Sequence, residues 1–434
     1  MKPGIVQQIF KDHFDAVDAT HQLDIRSLWA AWNILTCRTP DQGFHIDECP
    51  NCKYHVILCN SCKHRACPMC GAIETELWLE RQLAKELRCK HHQFVFTTSD
   101  LLRPLWRWNR KVFTNLYFLA AWHALRELLV DEHWLGALPG VTAVFQSWSD
   151  ELGEHPHLHF IVTAGGLSPS GQWLDADLKK LIPFPVLASK FRGKFIDYLR
   201  KALNPLNARG KAKPENQVLM PPPGRSIQQC HNLLNKLGRQ KWNVRIFEAY
   251  QYAGGALKYV GRYIRRGPIS ERRILSYNGK KVVIAYAHPE KHKHPTFTLE
   301  VKEFILRLLS HAPQKGTHCA RVYGLYHSTK REQLNQARAH LGQAPYEPSI
   351  EPPDVHELLH RMMPDFTGDL CPKCHAPLVT VCVKKGSAIR GSGQTQNTSP
   401  RPFFNGPFVF FLLIGPHRLH HQTSRCGLGL RHVV

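Results

Sequence analysis

The segment His155-Pro156-His157-Leu158-His159-Phe160-Ile161-Val162 sets two imidazoles, His157 and His159, two residues apart in an apolar run. Alternate side chains of a strand share a face, so the two rings stand side by side while Leu158 faces the opposite layer. Two such imidazoles repel if both are charged, and a shared metal ion resolves the conflict; two exposed or hydrogen-bonded histidines are the plainer reading. Nitrogen and oxygen donors with an open side suit Mg²⁺ or Mn²⁺ acting on phosphate oxygens. A third donor is needed. Gln146, on the preceding expected strand, is the candidate, with Glu154 or His155 as alternatives. The same letters also fit a histidine-triad nucleotide hydrolase, in which a histidine is the nucleophile and no metal is required.

A second constellation is Lys258-Tyr259-Val260-Gly261-Arg262-Tyr263-Ile264-Arg265-Arg266. Its spacing is helical, and residues four apart lie one turn apart on one face, which pairs Tyr259 with Tyr263. Lys258, Arg262, Arg265 and Arg266 surround them with positive charge. A phenol in that setting can attack a phosphodiester and keep the bond energy in a phosphotyrosine. Paired helical tyrosines that only pack are the alternative, and the histidine strand upstream shifts the balance towards chemistry.

Cysteine supplies the third. Seven of the chain's 14 cysteines fall between Cys37 and Cys70. Cys49-Pro-Asn-Cys52 and Cys67-Pro-Met-Cys70 are two C-x2-C knuckles, which together would complete a closed tetrahedral Zn²⁺ shell of structural type. Cys37, His45, Cys59 and Cys62, with His64 nearby, are enough for a second zinc. Buried free thiols are the alternative for both. Lys53, Lys63, His64 and Arg65 give the module a basic stretch suited to nucleic acid. A distant knuckle, Cys371-Pro-Lys-Cys374, followed by His375 and Cys382, is half a site with its partners open.

Regular elements must hold these groups. Apolar runs predict helices through IRSLWAAWNIL, IETELWLERQLAKELR and LYFLAAWHALRELLV, and strands through QFVFTT, GVTAVFQSW and HLHFIVTAGG, the last two joined by SDELGEHP. The tyrosine helix should stop at Gly267-Pro268, and ILSYNGKKVVIAYAH reads as a hairpin with an Asn-Gly turn. Residues 204–226 are rich in Pro and Lys and read as an exposed linker or insertion. From Lys385 onward there are six Lys+Arg and no acid, which reads as a poorly ordered tail. The whole chain has 434 residues, 57 Lys+Arg against 34 Asp+Glu, and a formal charge of +23, an excess that points to a polyanionic partner. No segment offers about 18 consecutive apolar residues to span a bilayer, and the N-terminal residues lack a secretory pattern. The expectation is a cytoplasmic protein with no membrane partner, in which clustered cysteines bind metal.

In this order, several motifs resemble the rolling-circle transposases of the insertion-sequence-91 type, within the HUH endonuclease superfamily. The likeness runs from about Cys37 to Leu341. It comprises SCKHRACPMC, FVFT at 94–97, HPHLHFIVTAGG at 155–166, FRGKF at 191–195, KYVGRYIRRGPIS at 258–270, EFILRLLSHAPQKG at 303–316 and RVYGL at 321–325. The family pattern favours Arg-His-Cys where this chain has Arg65-Ala66-Cys67, which weakens a zinc role at Ala66.

The resemblance implies an α+β fold with a central antiparallel sheet flanked by helices, preceded by a small zinc module. It implies a divalent cation on His157 and His159, and Tyr259 and Tyr263 as nucleophiles. The expected divisions are a zinc-binding domain at 1–90, a catalytic domain at 91–341, a knuckle segment at 342–384 and the tail at 385–434. The implied activity is nicking and rejoining of single-stranded DNA at element ends and in target DNA, in a prokaryotic cytoplasm at the nucleoid. A zinc-finger nucleic-acid-binding protein without cutting activity is the rival, and the histidine-triad enzyme a weaker one. The sequence leaves the oligomeric state open.

Overall fold

A computed structural model describes residues 4–386 except 208, 266, 289, 291 and 349–353; the side chains of 216, 253, 259, 262–265 and 356 are also outside the description. The chain divides into two compact units, 4–35 with 62–365, and 36–61 with 366–386. This differs from the serial division expected from sequence. The cause is pairing over distance: strand Gly43–Glu48 takes His55–Cys59 on one side and Val379–Lys385 on the other, so the C-terminal knuckle segment folds with the first cysteine hairpin. Of the expected basic tail, residues 387 onward lie outside the described residues.

The larger unit is built on a five-stranded sheet in the order Ala320–Gly324, Gly140–Trp148, Glu154–Thr163, His91–Thr97, Val244–Ile246. Every neighbouring pair is antiparallel. Strands Gly140–Trp148 and Glu154–Thr163 are buried at almost every position because both faces of the sheet are covered.

Alternation assigns the faces. Phe94, Phe96, Leu158, Phe160, Val162, Val141, Ala143 and Phe145 point to one side, against helices Arg110–Val130 and Phe184–Leu203. The aromatic residues interlock there. Phe191 and Phe195, one turn apart in FRGKF, stack on Tyr117 at centroid distances of 5.7 and 5.1 Å, and Phe96 meets Phe160 and Phe191 edge-on at 5.1 Å. Truncating a ring such as Phe191 to Ala would cost about 3–5 kcal/mol. The Tyr117 hydroxyl donates to the Phe96 carbonyl at 2.5 Å, which satisfies the one polar atom that the ring buries.

The opposite face carries Gln93, His157, His159, Ile161, Val144 and Gln146. Helix Ala253–Arg265, the expected tyrosine helix, lies on it. Its Ala256, Leu257 and Val260 bury against Val144 and Ile161, together with Leu79 of helix Ala72–Leu83.

The segment 204–226 is exposed at most described positions, yet Leu219 is buried in the aromatic core and Asn109 bonds Met220 through both backbone groups. The expected hairpin forms from Ile274–Tyr277 and Lys281–Ala285. Among the described residues no helix is long and apolar enough to cross a membrane.

Candidate active site and cysteine clusters

His157 and His159 are both buried at the centre of the sheet, their ring centroids 4.7 Å apart. His157 Nδ1 donates to the carbonyl of His155 at 2.7 Å, which leaves the Nε2 lone pair for a ligand. Burial pushes the His157 imidazole down to about 4, and burial, with His157 next to it, holds His159 well below the usual range. Both rings are therefore neutral near pH 7, the form that binds metal.

Gln146 stands directly opposite His157 in the register, and its Oε1 lies 3.1 Å from His159 Nε2. Two donors that share an octahedral cation at about 2.1 Å stand roughly 3.0 Å apart when they occupy adjacent corners. The spacing of Gln146 and His159 is that of two adjacent donors on such a cation, and the His157 ring stands beside them.

The alternatives fare differently. Glu154 points to the other face, where Arg107 and Arg110 hold its carboxylate, Arg110 Nη2 at 3.5 Å. His155 stacks at a tilt beside His157, centroids 5.1 Å apart, and its carbonyl is the group that orients His157.

Sequence reading missed Gln93. This buried amide donates from Nε2 to His159 Nδ1 at 2.8 Å, and its Oε1 accepts from the Tyr250 hydroxyl at 3.0 Å. An amide can turn to serve either tautomer of the imidazole, which makes Gln93 a positioning residue for His159. The signal was present in the sequence as a polar residue that opens the apolar run FVF on the face of the strand opposite Phe94 and Phe96.

The tyrosine positions 259 and 263 lie on the helix that covers this same face. Val144 and Ile161, under that helix, are two residues along their strands from Gln146 and His159, about 7 Å. The side chains of Tyr259, Tyr263, Arg262 and Arg265, and all of Arg266, are outside the described residues. Lys258 is exposed.

The cysteines pair otherwise than expected. Cys49 and Cys52 join Cys371 and Cys374, not Cys67 and Cys70. The sulfur separations are 3.4 Å for Cys49–Cys374, 3.5 Å for Cys52–Cys371 and 3.7 Å for Cys52–Cys374. A tetrahedral zinc with bonds of about 2.3 Å sets its sulfurs roughly 3.8 Å apart, so the spacing suits one shared ion. The N–H of Cys52 leads in drawing the Cys49 thiol down to about 6. Cys374, although the N–H of Ala376 favours its thiolate, is pushed up to about 12, the Cys49 sulfur being the largest cause in that direction. Four such sulfurs cannot all ionise without a cation between them.

In the larger unit Cys62, Cys67 and Cys70 form a second cluster, with Cys62 and Cys70 sulfurs 3.6 Å apart and the His64 N–H directed at the Cys62 sulfur. Cys37 is buried in the smaller unit. Two expected ligands are engaged elsewhere: His45 contacts Asn60 and Asp47, and Cys59 sits in strand register opposite Phe44, outside both clusters.

Backbone conformation marks these turns. Among described non-glycine residues with positive φ, Arg38, Lys53, Lys63 and His375 each follow a cysteine directly, and Gly71 does the same after Cys70. Each left-handed non-glycine costs about 1–2 kcal/mol, which the closed knuckle must offset.

Comparison with known proteins agrees with this architecture. A family model described as "Transposase zinc-binding domain" matches residues 9–98, and one described as "Putative transposase" matches 140–333. The chain is 31% identical over 407 residues to "Putative transposase y4qJ" of Sinorhizobium fredii, covering 91% of this chain and 98% of that protein. The chain belongs to the insertion-sequence-91-type transposases. It is also 30% identical over 297 residues to the transposase for insertion sequence element IS801 of Pseudomonas savastanoi pv. phaseolicola, covering 67% of this chain and 68% of that one. No solved structure matches. The cysteine clusters accordingly supply a structural zinc-binding module to a transposase that acts on DNA.

Proposed function

We propose that this transposase nicks and rejoins single-stranded DNA at the ends of its element and in the target, through 5′-phosphotyrosine on Tyr259 and Tyr263, in rolling-circle transposition. A tyrosine oxygen attacks the scissile phosphorus, the bond to the 3′ oxygen breaks, and the phenolic proton leaves for that oxygen or for water. A 3′ hydroxyl then attacks the phosphotyrosine, reforms the phosphodiester and frees the tyrosine. Two tyrosines let a second strand be cut before the first is passed on. Lys258, Arg262, Arg265 and Arg266 offset the phosphate charge. A divalent cation on His157, His159 and Gln146 would polarise the phosphate oxygens. Gln93 holds His159 in place, and the sheet keeps both imidazoles neutral. The work would be done in the prokaryotic cytoplasm, at the nucleoid.

The observation that carries this reading is that the tyrosine helix packs on the sheet face that bears His157, His159 and Gln146. The test is a covalent adduct. Labelled single-stranded DNA from the element's ends, with Mg²⁺ or Mn²⁺, should yield a protease-sensitive protein–DNA band that the Tyr259→Phe/Tyr263→Phe double variant lacks, a loss of at least about a thousandfold. Adducts in that variant at the wild-type level would remove both tyrosines, and no adduct from the wild type would favour a DNA-binding protein without cutting activity.

Zinc occupies the clusters in this reading. Cys49, Cys52, Cys371 and Cys374 form one shell. Cys62, Cys67 and Cys70 form part of another.

A further inference from the structure

At the outer end of strand Gly140–Trp148 lies a cavity of about 40 Å³ that the chemistry above does not use. Arg65, Trp106, Arg110, Gln314 and Thr317 line it, with Gly267 and Pro268 from just beyond the tyrosine helix. Three polar atoms buried in its wall have no hydrogen-bond partner: Trp106 Nε1, Arg110 Nε and Thr317 Oγ1. Trp106 is 1% and Arg110 7% exposed. The first two atoms are donors only and the third can donate, so the wall asks for an acceptor. No acidic residue lines the cavity. Glu154 engages Arg110 through Nη2 at 3.5 Å, which leaves Nε without a partner.

Two further contacts hold the pocket in shape. The Arg110 guanidinium lies 4.1 Å over the Trp106 ring, which fixes both donors relative to each other. Gly267 approaches the Ala66 carbonyl so closely that a Cβ would stand 2.7 Å from that oxygen, which binds the exit of the tyrosine helix to the loop carrying Arg65. The volume admits roughly three waters, or one compact oxyanion. Two guanidiniums and two unpaired N–H donors favour the oxyanion.

We propose that this cavity is an oxyanion pocket that takes one phosphate group of the DNA strand, next to the tyrosine helix. Trp106, Arg110 and Thr317 donate to its oxygens and Arg65 adds charge. Only the source of the phosphate rests on the DNA-cutting reading, because the pocket's chemistry alone also accepts free phosphate.

The test uses the full chain and reads binding, so its outcome is scored separately from tyrosine chemistry. In the first arm, inorganic phosphate is titrated against chloride at equal ionic strength and the thermal midpoint is followed. Wild type should show a phosphate-specific rise. Thr317→Val, which keeps the shape, and Trp106→Phe should each weaken phosphate about tenfold, the worth of one hydrogen bond to a charged group. Thr317 is half-buried, so Thr317→Val serves if Trp106→Phe does not fold. In the second arm, a single neutral methylphosphonate is walked along a short single strand from the element end. One position should cost wild type about tenfold in affinity and cost Thr317→Val measurably less. A phosphate response absent from wild type, with no sensitive position, means that the pocket holds water only and overturns the proposal. A phosphate response without any sensitive position marks a free-phosphate site and overturns the assignment to DNA.

Discussion

The smaller unit, 36–61 with 366–386, and the histidine face of the five-stranded sheet both gather side chains suited to a metal, but they are held by different forces. In the smaller unit the described residues that are buried are Cys37, Gly43, Cys49 and Cys371, while Val379, Val381, Val383 and Ile57 stand exposed on its sheet. It has almost no apolar core, and its left-handed turns at Lys53 and His375 cost energy. The histidine face rests on a sheet whose other side is packed with aromatic rings, so its ligands are positioned before any ion arrives. In the proposed reading, a metal is part of the fold in one place and a reagent in the other.

The largest effect should come from breaking the sulfur shell. Cys371→Ser should lower the zinc content by one equivalent and unfold the smaller unit, because zinc contributes on the order of 10 kcal/mol or more to folding such a module. The sheet of the larger unit should persist. Hydrogen exchange separates the two: amides of 43–48 and 379–385 should lose protection, and those of 141–146 and 158–163 should keep it. Equal protection in 43–48 before and after zinc loss would refute the claim that metal holds this unit together.

How much of this was legible in the chain follows from the same contrast. The histidine strand and tyrosine helix follow local periodicity, and the meeting of Gln146 with the two histidines needs only the register of two neighbouring strands. That Gln146 stands beside His159 could be anticipated for that reason. The sulfur shell could not, because C-x2-C knuckles look alike and Cys52 meets Cys371 across 319 residues. Proximity in sequence favoured Cys67 and Cys70, and strand pairing of Gly43–Glu48 with Val379–Lys385 decided otherwise. The tight turns after Cys52, Cys62 and Cys374 also carry no glycine to announce them.

A middle-sized effect should sharpen the second half of the comparison. Gln93 touches His159 and is not itself a proposed metal donor, so Gln93→Leu should leave zinc content unchanged, while the buried bonds it gives up to His159 and Tyr250 lower stability by about 1–3 kcal/mol. Loss of a hydrogen-bond partner of this kind costs about 10–100-fold in metal affinity. Mn²⁺ titration followed by electron paramagnetic resonance measures it, and strand cleavage should recover at high Mn²⁺. An unchanged Mn²⁺ affinity would mean that the sheet alone orients His159.

The smallest effect concerns acid. His91 and His311 lie in the larger unit away from the proposed metal donors, and burial pushes each imidazole down to about 4. His91 is bonded to the Cys89 carbonyl and the Tyr326 hydroxyl, and His311 to Ser147 and the Leu152 carbonyl. An unfolded histidine titrates near 6.5. Between about pH 6.5 and 4 the unfolded chain therefore binds more protons than the folded one, and stability falls as pH falls. At pH 5 each ring contributes a loss of about 2 kcal/mol relative to pH 7. His311→Gln should be less stable at pH 7, because it gives up part of a buried hydrogen-bond pair, yet its stability should decline less steeply towards pH 5. Urea midpoints of wild type and variant across that range give the two slopes, and parallel slopes would show that His311 does not report the acid response of the sheet.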